Sequence, residues 1–172
     1  VLGALLDVDV EAVTGRGGGP TDDAVVHKKE VIRRALAVNQ PDPSDPVDVL
    51  AKVGGFDLAA MCGAFLGAAA ARPPVVIDGF ISVVAALCAA RLCPAAREYL
   101  IPSHASCEAG YALAMEALKL RPMLLLDMRL GEGSGCPLAF QILEAACAVM
   151  DHMATFDQAG IDDSYLDQLR EN

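Results

Sequence analysis

The residues best placed to do chemistry lie in RLGEGSG, Arg129–Gly135, where Glu132 stands between Gly131 and Gly133, and Gly135 follows before an apolar run. Glycine tolerates positive φ and lets backbone approach a ligand closely. Glu132 is therefore either a solvated turn residue or an acid held against a substrate. Four other stretches could share a site with it. TGRGGGPTDD, Thr14–Asp23, reads as a phosphate or ribose cradle with Arg16 as a cation, or as a flexible connector. His27, Lys28 and Lys29 fall in the early turns of the next helix. Cations are unfavourable at that end of a helix dipole, and a bound anion would offset the cost; the plainer reading is a solvated basic face. Asp78 and Gly79 close the apolar run PVVID, at a strand's carboxyl end, where open α/β sheets place ligands. The plainer role for Asp78 is a cap on the following helix. Ser106 can cap another helix, whose free N–H groups attract anions.

Other chemistries find less support. His104 and His152 are isolated, and no Ser–His–Asp order marks a hydrolase triad. The six cysteines, Cys62, Cys88, Cys93, Cys107, Cys136 and Cys147, form no CxxC pair. They read as reduced, buried small hydrophobes of a cytoplasmic protein, without the spacing of a metal centre. A formal charge of −10 argues against nucleic acid as a partner. The apolar run from Pro73 to Ala90 is interrupted by Asp78, Gly79 and Ser82. It falls short of the about 20 apolar residues that a membrane span needs. The amino end carries no signal-peptide pattern. Its first residue, Val1, is expected of a processed form or a fragment of something longer.

The elements that must position these residues follow from apolar spacing. The 172 residues, 54 % hydrophobic, suffice for one domain with a sizeable core, expected to span 1–172. Helices are predicted over Val1–Val13, from about Ala24 to Val38, from Pro46 to Val53 with Gly54 and Gly55 ending it, over Phe56–Ala71, Phe80–Arg91 and Cys107–Leu120, and onward from Pro137. Strands are predicted at Pro74–Asp78 and Glu98–Ser103, and Met123–Met128 is a third strand or a turn of helix. The tail from Asp157 to Asn172 is expected to be peripheral. This pattern predicts an α/β fold in which helices wrap a small, mostly parallel sheet, Rossmann-like with three α/β/α layers.

Six motifs then carry a resemblance: GRGGG with TDD, HKKEVIRRAL, GGFDLAAMCGAFLGAA, VVIDGFIS, YLIPSHASCEAG and RLGEGSG, in one order. From about Val1 to Thr155 the chain resembles the carboxyl-terminal half of the nicotinate-nucleotide:dimethylbenzimidazole phosphoribosyltransferase family. The resemblance implies transfer of phosphoribose from nicotinate mononucleotide to 5,6-dimethylbenzimidazole or a related base. The product would be α-ribazole 5′-phosphate, for the lower ligand of cobalamin. It implies Glu132 as general base; Lys28, Asp78, Gly79 and Ser106 around the phosphate and ribose; Gly17, Gly18, Gly54 and Gly55 as glycine turns lining the same cleft; and Leu130 and Gly131 at the base. It implies no metal or cofactor, a homodimer and a cytoplasmic setting. Family members are roughly twice as long. Their amino-terminal half supplies part of the benzimidazole pocket and a glycine–asparagine–threonine loop. Two alternatives therefore stand beside an enzyme: a non-catalytic module that binds a phosphoribosyl nucleotide, and a structural domain whose apolar helices serve oligomer contacts.

Overall fold

A computed structural model of the chain describes residues 1–18 and 21–162. It divides into two compact units, Val1–Ala139 and Phe140–Asn172. In chain order the elements are α1 (Leu2–Leu6), α2 (Val10–Val13), α3 (Asp22–Asn39), α4 (Pro46–Val53), α5 (Phe56–Ala71), β1 (Val75–Ile77), α6 (Phe80–Leu92), a 3-10 segment (Pro94–Tyr99), β2 (Leu100–Pro102), α7 (Tyr111–Leu118), α8 (Cys136–His152) and α9 (Phe156–Ala159).

The first unit is built around α6. Every residue from Val83 to Ala89 on this helix is buried. A helix apolar on all sides must be covered on all sides, and α6 packs against α5, α7 and the 3-10 segment. Leu2, Leu5, Val49, Phe65, Ile77, Leu100, Met115 and Leu118 complete the core. Each large side chain there contributes about 1.5–3 kcal/mol by leaving water. Burial also pushes the Cys88 thiol up to about 11, with neighbouring Cys62 adding to the effect.

The sheet is small and parallel, as expected. β1 pairs with β2 in the register Val75↔Leu100, Val76↔Ile101, Ile77↔Pro102. The Ser103 N–H extends the ladder to the Ile77 carbonyl at 2.9 Å. The third-strand candidate contributes a single parallel bridge, His104↔Leu124. This ladder fixes which residues share the strand tips: Asp78 and Gly79 after β1, and Ser103 and His104 after β2.

Local capping explains where prediction and structure agree. Thr21 Oγ1 accepts the Ala24 N–H at 3.4 Å and starts α3. Asp45 accepts from Val47 and Asp48 at 2.9 and 3.2 Å and starts α4, with Pro46 in its first turn. Three expectations are corrected. The helix predicted over Val1–Val13 is two helices, because Asp7 is left-handed at φ 51° and ends α1. Asp9 then caps α2, accepting from Glu11 at 2.8 Å. The helix predicted from Cys107 begins at Tyr111, because Gly110 at φ 85° breaks the run. The cysteines are not uniformly buried: Cys62 and Cys88 are, but Cys93, Cys107 and Cys147 are exposed.

In the second unit, α9 opens with a reciprocal cap between Thr155 and Gln158. Of the predicted tail, Asp157 lies on α9, and residues 163–172 lie outside the described residues. Among the described residues no helix is long and apolar enough to cross a membrane.

Candidate active site

The loop after Met128 turns through three consecutive left-handed residues, Gly131 at φ 72°, Glu132 at 55° and Gly133 at 79°. Glycine takes this conformation freely; for glutamate it costs about 1–2 kcal/mol. Hydrogen bonds hold the turn: Ser134 N–H to Gly131 O at 2.9 Å and Cys136 N–H to Gly133 O at 3.1 Å. The turn keeps Glu132 exposed and sets it on the wall of an open cleft of about 1090 Å³ in the first unit.

Asp78 lies beneath this loop and is 7 % exposed. Its Oδ2 accepts the Gly133 N–H at 3.0 Å, and its Oδ1 accepts the Gly135 N–H at 2.8 Å. His104 Nδ1 lies 3.5 Å from Oδ1 and 3.1 Å from Ser103 Oγ. Asp78 does not cap α6, whose N-cap is Gly79 without a side-chain hydrogen bond. Ser82 does the local work, its Oγ accepting the Asp78 N–H at 3.0 Å and donating to Gly79 O at 2.8 Å. Two neighbours respond to the Asp78 carboxylate. Tyr111 donates its hydroxyl to His104 O at 2.6 Å, and burial, then the charge of Asp78, pushes its phenol up to about 12. Burial and then the same charge push the Cys136 thiol up.

The glycine-rich loop and α3 supply another part of the lining. Gly17, at φ 60°, Gly18 and Lys28 line the cleft. Lys28 Nζ donates to the Gly15 carbonyl at 3.3 Å, which holds the ammonium against the loop. Arg16 is engaged elsewhere, in an exposed ion pair with Asp22. Gly19 and Pro20 lie outside the described residues.

The structure thus brings Gly17, Gly18, Lys28, Asp78, Gly79, Ser106, Leu130, Gly131 and Glu132 to one cleft. It does not bring Gly54 and Gly55 there. Both are exposed; Gly54 ends α4, with its N–H on Leu50 O at 3.0 Å, and Gly55 begins α5. The cleft is reached instead by their neighbours Val53, Asp57 and Leu58. Ser106 lines the cleft but caps no helix: its Oγ accepts the Glu108 N–H at 3.3 Å, short of where α7 begins. The anion attraction expected from a helix start at Cys107 is therefore absent at that position.

Sequence reasoning missed several residues. Arg129 and Glu108 line the cleft; both stand inside motifs already singled out, and their charges were the available signal. His104 passed for a solitary histidine, since its nearness to Asp78 depends on how β1 and β2 align. Among the described residues no group of three or more His, Cys, Asp or Glu could hold a metal ion.

The sequence and fold also match known proteins. The family model described as Phosphoribosyltransferase matches residues 1–161. The chain is 54 % identical over 162 residues to the nicotinate-nucleotide--dimethylbenzimidazole phosphoribosyltransferase of Ruminiclostridium cellulolyticum, covering 94 % of this chain and 46 % of that one. It is 50 % identical over 171 residues to the protein of the same name from Clostridium perfringens, covering 99 % and 47 %. The crystal structure of CobT from Thermus thermophilus superposes with a TM-score of 0.86 at 41 % identity, covering 95 % of this chain and 48 % of that one. The chain spans about half the length of the curated relatives it matches. With its motifs gathered on one cleft and the family model matched over residues 1–161, the chain belongs to the phosphoribosyltransferase family.

Proposed function

We propose that this chain forms the phosphoribosyl side of an enzyme that moves phosphoribose from nicotinate mononucleotide to 5,6-dimethylbenzimidazole or a related base. The product is α-ribazole 5′-phosphate, for the lower ligand of cobalamin. One observation carries the reading: Glu132, Lys28 and the glycine loop line a single cleft. Lys28 and the backbone at Gly17 and Gly18 hold the 5′-phosphate, a dianion suited to an ammonium beside a loop of small residues. Gly79 and Ser106 border the ribose, and Leu130 and Gly131 border the acceptor ring.

The chemistry needs one protein base. The basic nitrogen of the benzimidazole forms a bond to ribose C1′ as the bond from C1′ to the nicotinate nitrogen breaks. The leaving nitrogen is cationic before cleavage and neutral after it, so no acid is needed there. Positive charge gathers on the benzimidazole ring, and Glu132 takes the proton from its other nitrogen. Holding the two rings on opposite sides of the sugar supplies much of the remaining rate.

The working protein is a homodimer. Exposed apolar side chains such as Phe56 and Leu125 support a protein partner. A cytoplasmic setting is supported by six free cysteines. A second reading, a module that binds the mononucleotide without turnover, is favoured by Leu130, which is 70 % exposed on the acceptor side.

The test supplies the protein carrying this chain with both substrates and follows nicotinate release. Turnover is expected, and Glu132→Gln is expected to lower it by about 10²-fold or more, the usual scale for loss of a general base, with mononucleotide binding retained. Equal rates would remove Glu132 from the chemistry. Binding without nicotinate release would select the second reading.

A further inference from the structure

We infer that Asp78, backed by His104, is the brace that sets the loop carrying Glu132, and is not a ligand of the sugar phosphate. The inference rests on the reading of Glu132 as the acid at the acceptor ring. Both oxygens of Asp78 are already engaged. Oδ2 accepts from Gly133 and Oδ1 from Gly135, at 3.0 and 2.8 Å, so the carboxylate grips the loop on the carboxyl side of Glu132 at two points. Amide N–H groups on an ionised oxygen make strong, directional bonds. The conformation they hold needs holding at one residue: Glu132, left-handed between two glycines, persists there only where the surroundings over-determine it.

Gly135 shows how closely the parts fit. A Cβ built there would stand 2.7 Å from Ser103 Oγ and 2.9 Å from Asp78 Oδ1, and would overlap His104 Nδ1. The backbone can reach the carboxylate because no side chain intervenes. At Gly79 the packing is looser, since a Cβ there would stand 3.4 Å from Gly131 Cα, in ordinary contact.

His104 is fully buried. Its Nδ1 faces two oxygens, Asp78 Oδ1 at 3.5 Å and Ser103 Oγ at 3.1 Å, so the ring packs against the carboxylate side. The imidazole limits rotation of Asp78, and its own backbone is pinned by Tyr111 and by the bridge to Leu124. Position is thereby relayed from the tips of β1 and β2 to Glu132 without any of these groups meeting substrate. Asp78 and His104 are positioning residues.

The test combines amide hydrogen exchange, read by NMR, with mononucleotide affinity and kcat. In the wild-type protein the Gly133 and Gly135 amides are expected to exchange at least about tenfold more slowly than the Glu132 amide, because hydrogen-bonded amides must open first. In Asp78→Asn one oxygen becomes an NH₂ group facing a donor. Protection of these amides is expected to fall and kcat to drop by about 10²-fold, the scale of a roughly 1 Å misplacement. The Kd for the mononucleotide is expected to stay within about threefold, because the loop amides and not the nucleotide occupy this carboxylate. Unprotected Gly133 and Gly135 amides in the wild type would overturn the inference. So would a variant with protection intact and affinity lost by tenfold or more. The wild-type exchange contrast keeps the inference open to refutation if Asp78→Asn does not fold. It is independent of turnover, so a wild-type protein that releases no nicotinate counts against the proposed function and not against the brace.

Discussion

Glu132 is an exposed acid in a backbone conformation that suits glycine, which is locally unfavourable. Lys28 lies in the second turn of α3, on the glycine loop, and lines the same cleft; a ligand in that cleft would give both a role. The Lys28 ammonium rests on the Gly15 carbonyl, poised toward the cleft. Replacing it with alanine would remove the proposed charge-assisted contact to phosphate, a bond of a kind worth about 1.5–3 kcal/mol. Lys28→Ala is expected to weaken nicotinate mononucleotide binding by about tenfold or more, with kcat at saturation nearly retained. Titration calorimetry checks it, and an unchanged affinity would reject the phosphate role.

At the scale of elements, β1 and the helices from α3 to α6 were legible because their signals are local. PVVID is an apolar run ending in a charge, Asp45 and Pro46 open α4, and Thr21 with the following aspartates opens α3. The start of α7 was not legible. Ser106 has the chemistry of a cap, but Gly110 takes a left-handed turn that delays the helix to Tyr111. The division of labour around Asp78 was also hidden. Its position at a strand end was readable, whereas its grip on Gly133 and Gly135 joins residues far apart in sequence through the fold. Gly54 illustrates a glycine whose role is structural. A Cβ there would meet Leu50 Cα at 2.8 Å, against backbone that cannot turn aside. Gly54→Ala is expected to lower unfolding stability by about 1–3 kcal/mol, the usual cost of overpacking, without changing mononucleotide affinity. Urea unfolding and the same titration check it; lost affinity at unchanged stability would return Gly54 to the binding site.

For the whole molecule, the net charge of −10 sits uneasily with the anionic nucleotide proposed to bind. The cleft lining does not reverse that sign, since Lys28 and Arg129 share it with Asp57, Asp78, Glu108 and Glu132; the proposed phosphate site therefore rests on the immediate surroundings of Lys28 and the Gly17–Gly18 backbone. The acid and the phosphate cradle come from opposite ends of the first unit's sequence, and the fold unites them through β1, β2 and α6. A crystal structure of the protein with nicotinate mononucleotide bound tests whether this union is a reaction site. The 5′-phosphate is expected against Lys28 and the Gly17–Gly18 backbone, with ribose C1′ facing Glu132. A mononucleotide bound outside this cleft, or within it with C1′ turned away from Glu132, would contradict it.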